Sequence, residues 1–426
     1  MNRVKIIPNK LKGTINIPPS KSLAHRAVIA AALCSGESEV SNLIYSKDIT
    51  ATLKGMENLG AKTKINSSSA IIKGEGGVIS KRKVFDCEES GSTIRFLIPL
   101  SLAVENDVKF IGKGKLVSRP QDVYYKIFDE KEVAYSTTEG ELPLRIKGKL
   151  SPGRYNVKGN ISSQFITGLL FTLPLLDGDS VINITTDLES IGYVDLTLDI
   201  LQKFGVEIIN NDYKSFEIKG NQKYKSVDYR VEGDFSQAAF WLTAGIIGTE
   251  IQCSDINLQS LQGDKAIIDI IREMNGHIEE VNGSLVVKPS KTKGTVIDVS
   301  QCPDLVPILA VLASLSEGKT EIINAERLRI KESDRLKAIT TELKKLGADI
   351  NEVGEGLVIN GKESLQGGQV ESWNDHRIAM ALAIASIRCK DEVIIDGSKA
   401  VEKSYPNFWQ DFEKLGGNIV EWSLGK

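Results

Sequence analysis

The apolar positions of this chain fall into short amphipathic runs that stop at a repeated signal, and the signal returns with a period of about 71 residues. Runs end at Leu59-Gly60, Phe204-Gly205, Asn275-Gly276, Leu346-Gly347 and Leu415-Gly416, where glycine offers the left-handed conformation that closes a helix. These glycines are spaced by 145, 71, 71 and 69 residues, so one copy is skipped; it falls near Glu132, in a stretch without glycine. A hairpin pattern follows each stop and commonly closes on an Ile-Lys-Gly-like triplet: Ile72-Lys73-Gly74, Ile146-Lys147-Gly148, Ile218-Lys219-Gly220, Ile359-Asn360-Gly361. Helix starts keep the same phase. Ser22, Ser92, Ser163, Ser236, Asp304 and Asp375 each lead into an apolar run as an N-cap does, and Asp48, Asp122, Asp195, Asp264, Asp334 and Asn407 form a second series. Each period thus predicts two helices, a hairpin and short β segments such as Val84-Phe85-Asp86. Three markers in one phase predict an α/β fold of six βαβαββ units.

A length of 426 residues suits two or three domains, so the units pair off three and three. With 53 basic and 56 acidic residues the net charge is −3, which leaves no basic footprint for nucleic acid. The longest apolar stretch, Ile378 to Ile387, is broken by Ser386 and is too short to span a bilayer. The N-terminus leads into a strand pattern rather than a signal-peptide core. Cys34, Cys87, Cys253, Cys302 and Cys389 are odd in number and show no CxxC spacing, as expected of reduced core thiols in a cytoplasmic protein. GxxxxGK[ST], GxGxxG after a strand and His/Cys metal spacing are all missing, so no cofactor and no metal are expected.

A helix N-terminus carries unpaired N–H groups and a partial positive charge, and so attracts anions. Most of the twelve expected starts carry only a cap; a few are loaded with cations. Ser20-Lys21-Ser22-Leu23-Ala24-His25-Arg26 brings a hydroxyl, an ammonium and, four residues on along one face, a guanidinium to one start. That suits a phosphate or carboxylate, though a capped helix with solvated charges explains it equally well. Glu89-Ser90-Gly91-Ser92-Thr93-Ile94-Arg95 admits close backbone approach at Gly91 and offers hydroxyl donors. Ser118-Arg119-Pro120 adds a cation before a helix, and Ser162-Ser163-Gln164 supplies uncharged hydrogen-bonding side chains suited to a polyol or phosphate monoester.

The densest cluster is Arg327-Leu328-Arg329-Ile330-Lys331-Glu332-Ser333-Asp334-Arg335. Ser333 is expected to cap a helix whose apolar face is Leu336, Ile339, Leu343 and Leu346, leaving Lys331 and Glu332 in the preceding loop. Arg335 then lies in the first turn, where a cation opposes the macrodipole and is poorly explained by stability. Asn374-Asp375-His376-Arg377 repeats that pattern, and Lys403-Ser404-Tyr405-Pro406 adds a last cation; His376 alone reads as a structural histidine. Cations to hold anions, with the carboxylates Asp304 and Glu332 for proton transfer, form an active-site inventory.

Taken in order, Ser-Lys-Ser-x-x-x-Arg (20–26), Gly-Ser-Thr-x-Arg (91–95), Arg-Pro (119–120), Ser-Ser-Gln (162–164), Lys-Glu-Ser-Asp-Arg (331–335), Asn-Asp-His-Arg (374–377) and Lys-Ser-Tyr-Pro (403–406) resemble the 5-enolpyruvylshikimate-3-phosphate synthase family over essentially the whole chain. The resemblance implies two domains of three βαβαββ units each (an inverse α/β barrel), spanning 20–231 and 232–426 plus 1–19, with the N-terminal strand crossing into the C-terminal domain and the active site in the interdomain cleft. It implies carboxyvinyl transfer from phosphoenolpyruvate to the 5-hydroxyl of shikimate 3-phosphate, in the chorismate branch of aromatic biosynthesis. Carried over by motif, Lys21, Ser22, Arg26, Ser162, Ser163, Gln164, Ser190, Tyr193, Asp304 and Lys331 would hold shikimate 3-phosphate. Lys21, Gly91, Arg119, Gln164, Glu332, Arg335, His376, Arg377 and Lys403 would surround phosphoenolpyruvate. Asp304 would be the base toward the 5-hydroxyl, Glu332 the acid/base at the methyl carbon and Lys21 a proton relay.

The expected protein is a monomeric cytoplasmic enzyme of two small-molecule substrates, with no nucleic-acid or membrane partner. It departs from the family at Glu89, where Asn is common, at Phe96, where Pro is frequent, and at Arg327, often Asn. These positions bear on phosphoenolpyruvate binding and on glyphosate, its inhibitor mimic. The sister UDP-N-acetylglucosamine enolpyruvyl transferases open with Lys-Asn and usually carry a Cys five residues before the loop Arg, whereas here Lys21-Ser22 and Gly114 occupy those places. A non-catalytic repeat scaffold would be stripped of cations and carboxylates, and here every matching position is filled.

Overall fold

Strands form where polarity alternates with a period of two. Along Glu141–Gly148, Leu142, Leu144 and Ile146 are buried while Glu141, Pro143, Arg145 and Lys147 face solvent. The computed structural model describes residues 2–423, and these hold twelve α-helices and six four-stranded sheets. Each sheet follows one plan. In one, Val84–Asp86 lies parallel to Asn106–Ile111, which pairs antiparallel with Glu141–Gly148, whose hairpin partner Ala134–Thr138 takes the edge. Between the parallel strands runs the helix Gly91–Ser101, and before the hairpin runs Asp122–Glu130, giving βαβαββ.

The chain forms two compact units: Pro19–Val231, and the residues up to Pro18 together with those from Glu232 onward. Each has three sheets, and each is closed by a strand distant in sequence. In the Pro19–Val231 unit, Tyr229–Arg230 returns to pair in parallel with Ser35–Ser41, supplying the first strand of the first repeat. In the other unit, Gly13–Asn16 pairs in parallel with Ile251–Ser254. Asn2–Ile7 inserts between Val393–Asp396 and Asn418–Ser423, where the other repeats place their second hairpin strand.

The two helices of a repeat differ. Phe235–Ile247, Val306–Ser314 and His376–Ala385 are buried along their whole length in one unit, and Lys21–Leu33, Gly91–Ser101 and Ser163–Thr172 almost wholly so in the other. A helix apolar on every side belongs inside a core. The second helices, such as Lys47–Asn58 and Arg335–Lys345, keep a polar face outward. No helix among the described residues is long and apolar enough to cross a membrane, and all five cysteines are buried and unbridged.

The structure shifts several expected boundaries. Helix closure occurs in all six repeats through a left-handed residue at Gly60, Glu132, Gly205, Asn275, Gly347 and Gly416, with φ of 114°, 55°, 79°, 65°, 86° and 98°. The skipped copy is therefore Glu132 itself, and at Asn275-Gly276 the asparagine takes the position. Ser22, Ser92 and Ser236 are not caps. Ser20, Ser90 and Asp234, two residues upstream, accept from the N–H of Leu23, Thr93 and Ser236, so each downstream serine falls in the first turn. Ser162 likewise caps ahead of Ser163. Asp304 lies in the 3-10 turn Pro303–Leu305 just before Val306–Ser314. Asp195 sits inside Ile191–Lys203, and Asp264 lies in a 3-10 turn ahead of Ile267–Glu273. The cap of Arg335–Lys345 is Asp334, which accepts from the Lys337 N–H, while the Ser333 hydroxyl donates to Asp375.

Candidate active site

In the unit that includes Glu232 onward, the starts of the three buried helices meet. Arg377, in the first turn of His376–Ala385, donates from Nη2 to Ser236 Oγ at 3.0 Å and to Asp304 Oδ2 at 3.0 Å. Ser236 belongs to the first turn of Phe235–Ile247, and Asp304 leads into Val306–Ser314. The Arg327–Arg335 segment adds its charges to this point. Asp304 Oδ1 accepts from Lys331 Nζ at 3.2 Å and from Arg335 Nη1 at 2.9 Å. Arg335 also donates to Glu332 Oε2 at 2.7 Å and, through Nε, to Asp375 Oδ2 at 2.8 Å.

Arg335 is 1% exposed, and three carboxylates surround it, which explains a cation tolerated at a helix start. Burial alone would lower its proton affinity, yet Asp375, Glu332 and Asp304 together raise it. Burial also works to raise the Asp304 pKa, but Arg377, then Lys331 and Arg335, hold that carboxyl well below the usual carboxylate range. The Lys331 ammonium is pushed down from 10.5 by burial, with Asp304 opposing.

Asp375 organises the rest. It caps His376–Ala385 by accepting from the Arg377 N–H, and it accepts the Ser333 hydroxyl at 3.0 Å. His376 Nδ1 lies 3.8 Å from its carboxylate. Lys403, at the end of the 3-10 turn Ser398–Lys403, donates to the Asn374 carbonyl at 2.5 Å. Trp373 and Asn374, immediately ahead of Asp375, are both left-handed, with φ of 53° and 52°. Non-glycine residues in that region cost conformational energy that the surrounding contacts must offset.

In the Pro19–Val231 unit the expected residues form three groups with a different electrostatic character. Lys21 pairs with Asp48 at 3.0 Å. Arg26 is buried and donates to Thr197 Oγ1, the Ser22 carbonyl, Thr167 Oγ1 and the Tyr193 carbonyl at 2.9, 2.7, 3.3 and 2.9 Å. Its guanidinium stands 5.5 Å from the centre of the Phe96 ring, and burial lowers its pKa to about 10. Gln164 accepts from Arg95 Nη1 and donates to Ser92 Oγ, both at 2.9 Å, so the starts of Gly91–Ser101 and Ser163–Thr172 are tied. Arg119 lies against Gly91: a Cβ there would stand 2.7 Å from Arg119 Nη1. Ser190, at the start of Ile191–Lys203, is left-handed with φ of 56°.

Four residues that touch the expected ones are not singled out by the sequence: Asp375 reads as a helix cap and a motif member, Ser236 as a helix cap, Asp48 as one start in a series, and Arg95 as part of a motif. Their signal was in-phase placement at loaded starts, but partner choice across 141 residues, as for Arg377 and Ser236, leaves no local mark.

The chain matches the model of the EPSP synthase (3-phosphoshikimate 1-carboxyvinyltransferase) family over residues 6–412. It is 62% identical over 432 residues to the 3-phosphoshikimate 1-carboxyvinyltransferase of Clostridium acetobutylicum, and 55% identical over 426 residues to that of Clostridium kluyveri, with both chains fully covered in each case. Among solved structures it is similar to an EPSP synthase from Acinetobacter baumannii, with a TM-score of 0.84 at 24% identity over 99% of this chain and 100% of the other. With the family model spanning nearly all of its length, the chain belongs to the EPSP synthase family.

Proposed function

We propose that this chain transfers the carboxyvinyl group of phosphoenolpyruvate to the 5-hydroxyl of shikimate 3-phosphate and releases phosphate, with Asp304 and Glu332 moving the protons. The observation that carries the assignment is the Arg335 node, which holds two differently partnered carboxylates at one point. As phosphoenolpyruvate takes a share of Arg335, the Glu332 carboxylate takes up a proton and passes it to the methylene carbon, and oxocarbenium character develops at C2. The 5-hydroxyl oxygen bonds to C2 as its proton passes to Asp304, giving a tetrahedral ketal phosphate. Glu332 then removes a proton from the methyl group as the C–O bond to phosphate breaks and the departing phosphate takes up the proton held by Asp304, which restores the double bond and both carboxyl groups. Lys21 serves as a relay beside Asp48.

A carboxylate held well below its usual pKa is a weak base. Arg377, Lys331 and Arg335, its three partners, are also the cations assigned to substrate anions. When phosphate and carboxylate groups of the substrates take a share of those cations, Asp304 loses stabilisation of its charged form and its proton affinity rises. Substrate binding thereby prepares the base. Arg26, Ser162, Ser163, Gln164, Ser190 and Tyr193 complete the shikimate 3-phosphate contacts; Gly91, Arg119, His376 and Lys403 complete those to phosphoenolpyruvate. Phosphate release with phosphoenolpyruvate plus shikimate 3-phosphate tests the reading, with UDP-N-acetylglucosamine as the control acceptor. Release only with the sugar nucleotide, or with neither, overturns it.

A further inference from the structure

The helix Arg335–Lys345 grips the site twice. Arg335 opens it and holds Asp375, as described above. Seven residues on, two turns and about 10 Å along the same face, Glu342 is 1% exposed and holds the segment that leads to Asp375. Its Oε2 accepts the Glu371 N–H at 2.9 Å, and its Oε1 accepts the Trp373 indole Nε1–H at 2.8 Å. Lys345 Nζ, 2.9 and 2.8 Å from the two oxygens, balances the charge. Between these grips lie Trp373 and Asn374, both left-handed, and the Asn374 carbonyl receives Lys403. A buried carboxylate meeting only donors accepts all of them.

We propose that Glu342 is a positioning residue for this site. It fixes the Trp373-Asn374 turn and so sets where Lys403, His376 and Arg377 stand. A glutamine there presents an NH2 to donors it cannot accept, leaving the indole N–H or the Glu371 N–H unpaired. The turn then relaxes from its left-handed geometry and carries the Asn374 carbonyl, the Lys403 ammonium and the first turn of His376–Ala385 with it. The expected consequence falls on the phosphoenolpyruvate groups, because that is where these three side chains are assigned.

The proposal rests on the reaction given above, and the test separates the two. Glu342→Gln in the full chain should raise KM for phosphoenolpyruvate about tenfold, with KM for shikimate 3-phosphate and kcat within about twofold. Trp373→Phe, which keeps the ring and removes only the indole donor, should act in the same direction by about threefold, and the double variant should be no worse than Glu342→Gln alone. Without substrates, both variants should speed amide exchange in 371–377 and leave Val306–Ser314 unchanged. Loss of kcat at unchanged KM, additive effects in the double variant, or unaltered exchange in 371–377 overturns the proposal. If Glu342→Gln does not fold, Trp373→Phe decides it by the same readouts. A wild type inert toward both substrates defeats the reaction reading instead, and the exchange measurement still judges the turn.

Discussion

The two helix-start clusters are built on one repeat and differ in how their cations are answered. In the unit from Glu232 onward, Arg335, Arg377 and Lys331 meet carboxylates: Asp304, Glu332 and Asp375. In the Pro19–Val231 unit, Arg26 and Arg95 meet hydroxyls, an amide, carbonyls and aromatic rings, while Lys21 pairs with Asp48. A cation answered by neutral dipoles keeps its full field for an incoming anion, whereas one answered by a carboxylate tunes that carboxylate's proton affinity. Under the proposed function, the pattern of cations meeting carboxylates suits moving protons and that of cations meeting neutral dipoles suits holding anions.

The largest break in that comparison comes from neutralising the carboxylates. Asp304→Asn and Glu332→Gln should each lower turnover by about 10²–10⁴-fold. Shikimate 3-phosphate binding, read by calorimetry, should stay within a few-fold. Turnover near wild type in both would remove the proton-moving role from this unit.

A smaller and more local effect is expected at Gly91. A Cβ at that position would stand 2.7–3.0 Å from three atoms of the Arg119 guanidinium, the movable end of a long side chain, so the protein yields by displacing Arg119 rather than by unfolding. Gly91→Ala should raise KM for phosphoenolpyruvate on the order of 10–100-fold with kcat much less affected. An unchanged KM would show that Arg119 does not serve that substrate.

Much of this architecture is legible in the sequence because the information is local. The helix stops, the hairpin closures and the loaded starts each lie within a few residues of the structure they specify, and even Glu132 holds its place in the period without being glycine. What is illegible is non-local. Nothing in Tyr229–Arg230 or Asn2–Ile7 says that these strands complete sheets begun about 190 and 390 residues away. The caps stand two residues ahead of Ser22, Ser92 and Ser236 because two polar residues compete at each start and only packing selects between them. Glu342 reads as an ordinary charge on an amphipathic helix until its partners at Glu371 and Trp373 fold onto it.

The comparison also predicts different responses to acid, and this is the smallest effect. His25 is fully buried in Lys21–Leu33, with Nδ1 2.7 Å from Thr52 Oγ1 in a chain of hydroxyls that continues to Thr93 and Ser90. Burial, with Lys21 and Arg26 nearby, holds its pKa well below the usual 6.5. Below that value the unfolded chain gains a proton that the folded chain resists, so stability from His25 is full above pH 6.5 and declines as pH falls, by up to about 1.4 kcal/mol per unit. Asp304 behaves differently: its folded pKa lies below 3.8, so its contribution stays intact until the unfolded carboxyl begins to take up protons near pH 4 to 5. Amide exchange, corrected for intrinsic rates, should therefore show protection in Lys21–Leu33 falling between pH 7 and 5.5 by about tenfold while Arg335–Lys345 holds. His25→Gln, which retains a partner for Thr52, should abolish the difference. If both helices lose protection together, or if His25→Gln leaves the pH dependence intact, the acid response does not arise from the contrast between neutral and ionic partners, and His25 is not its source.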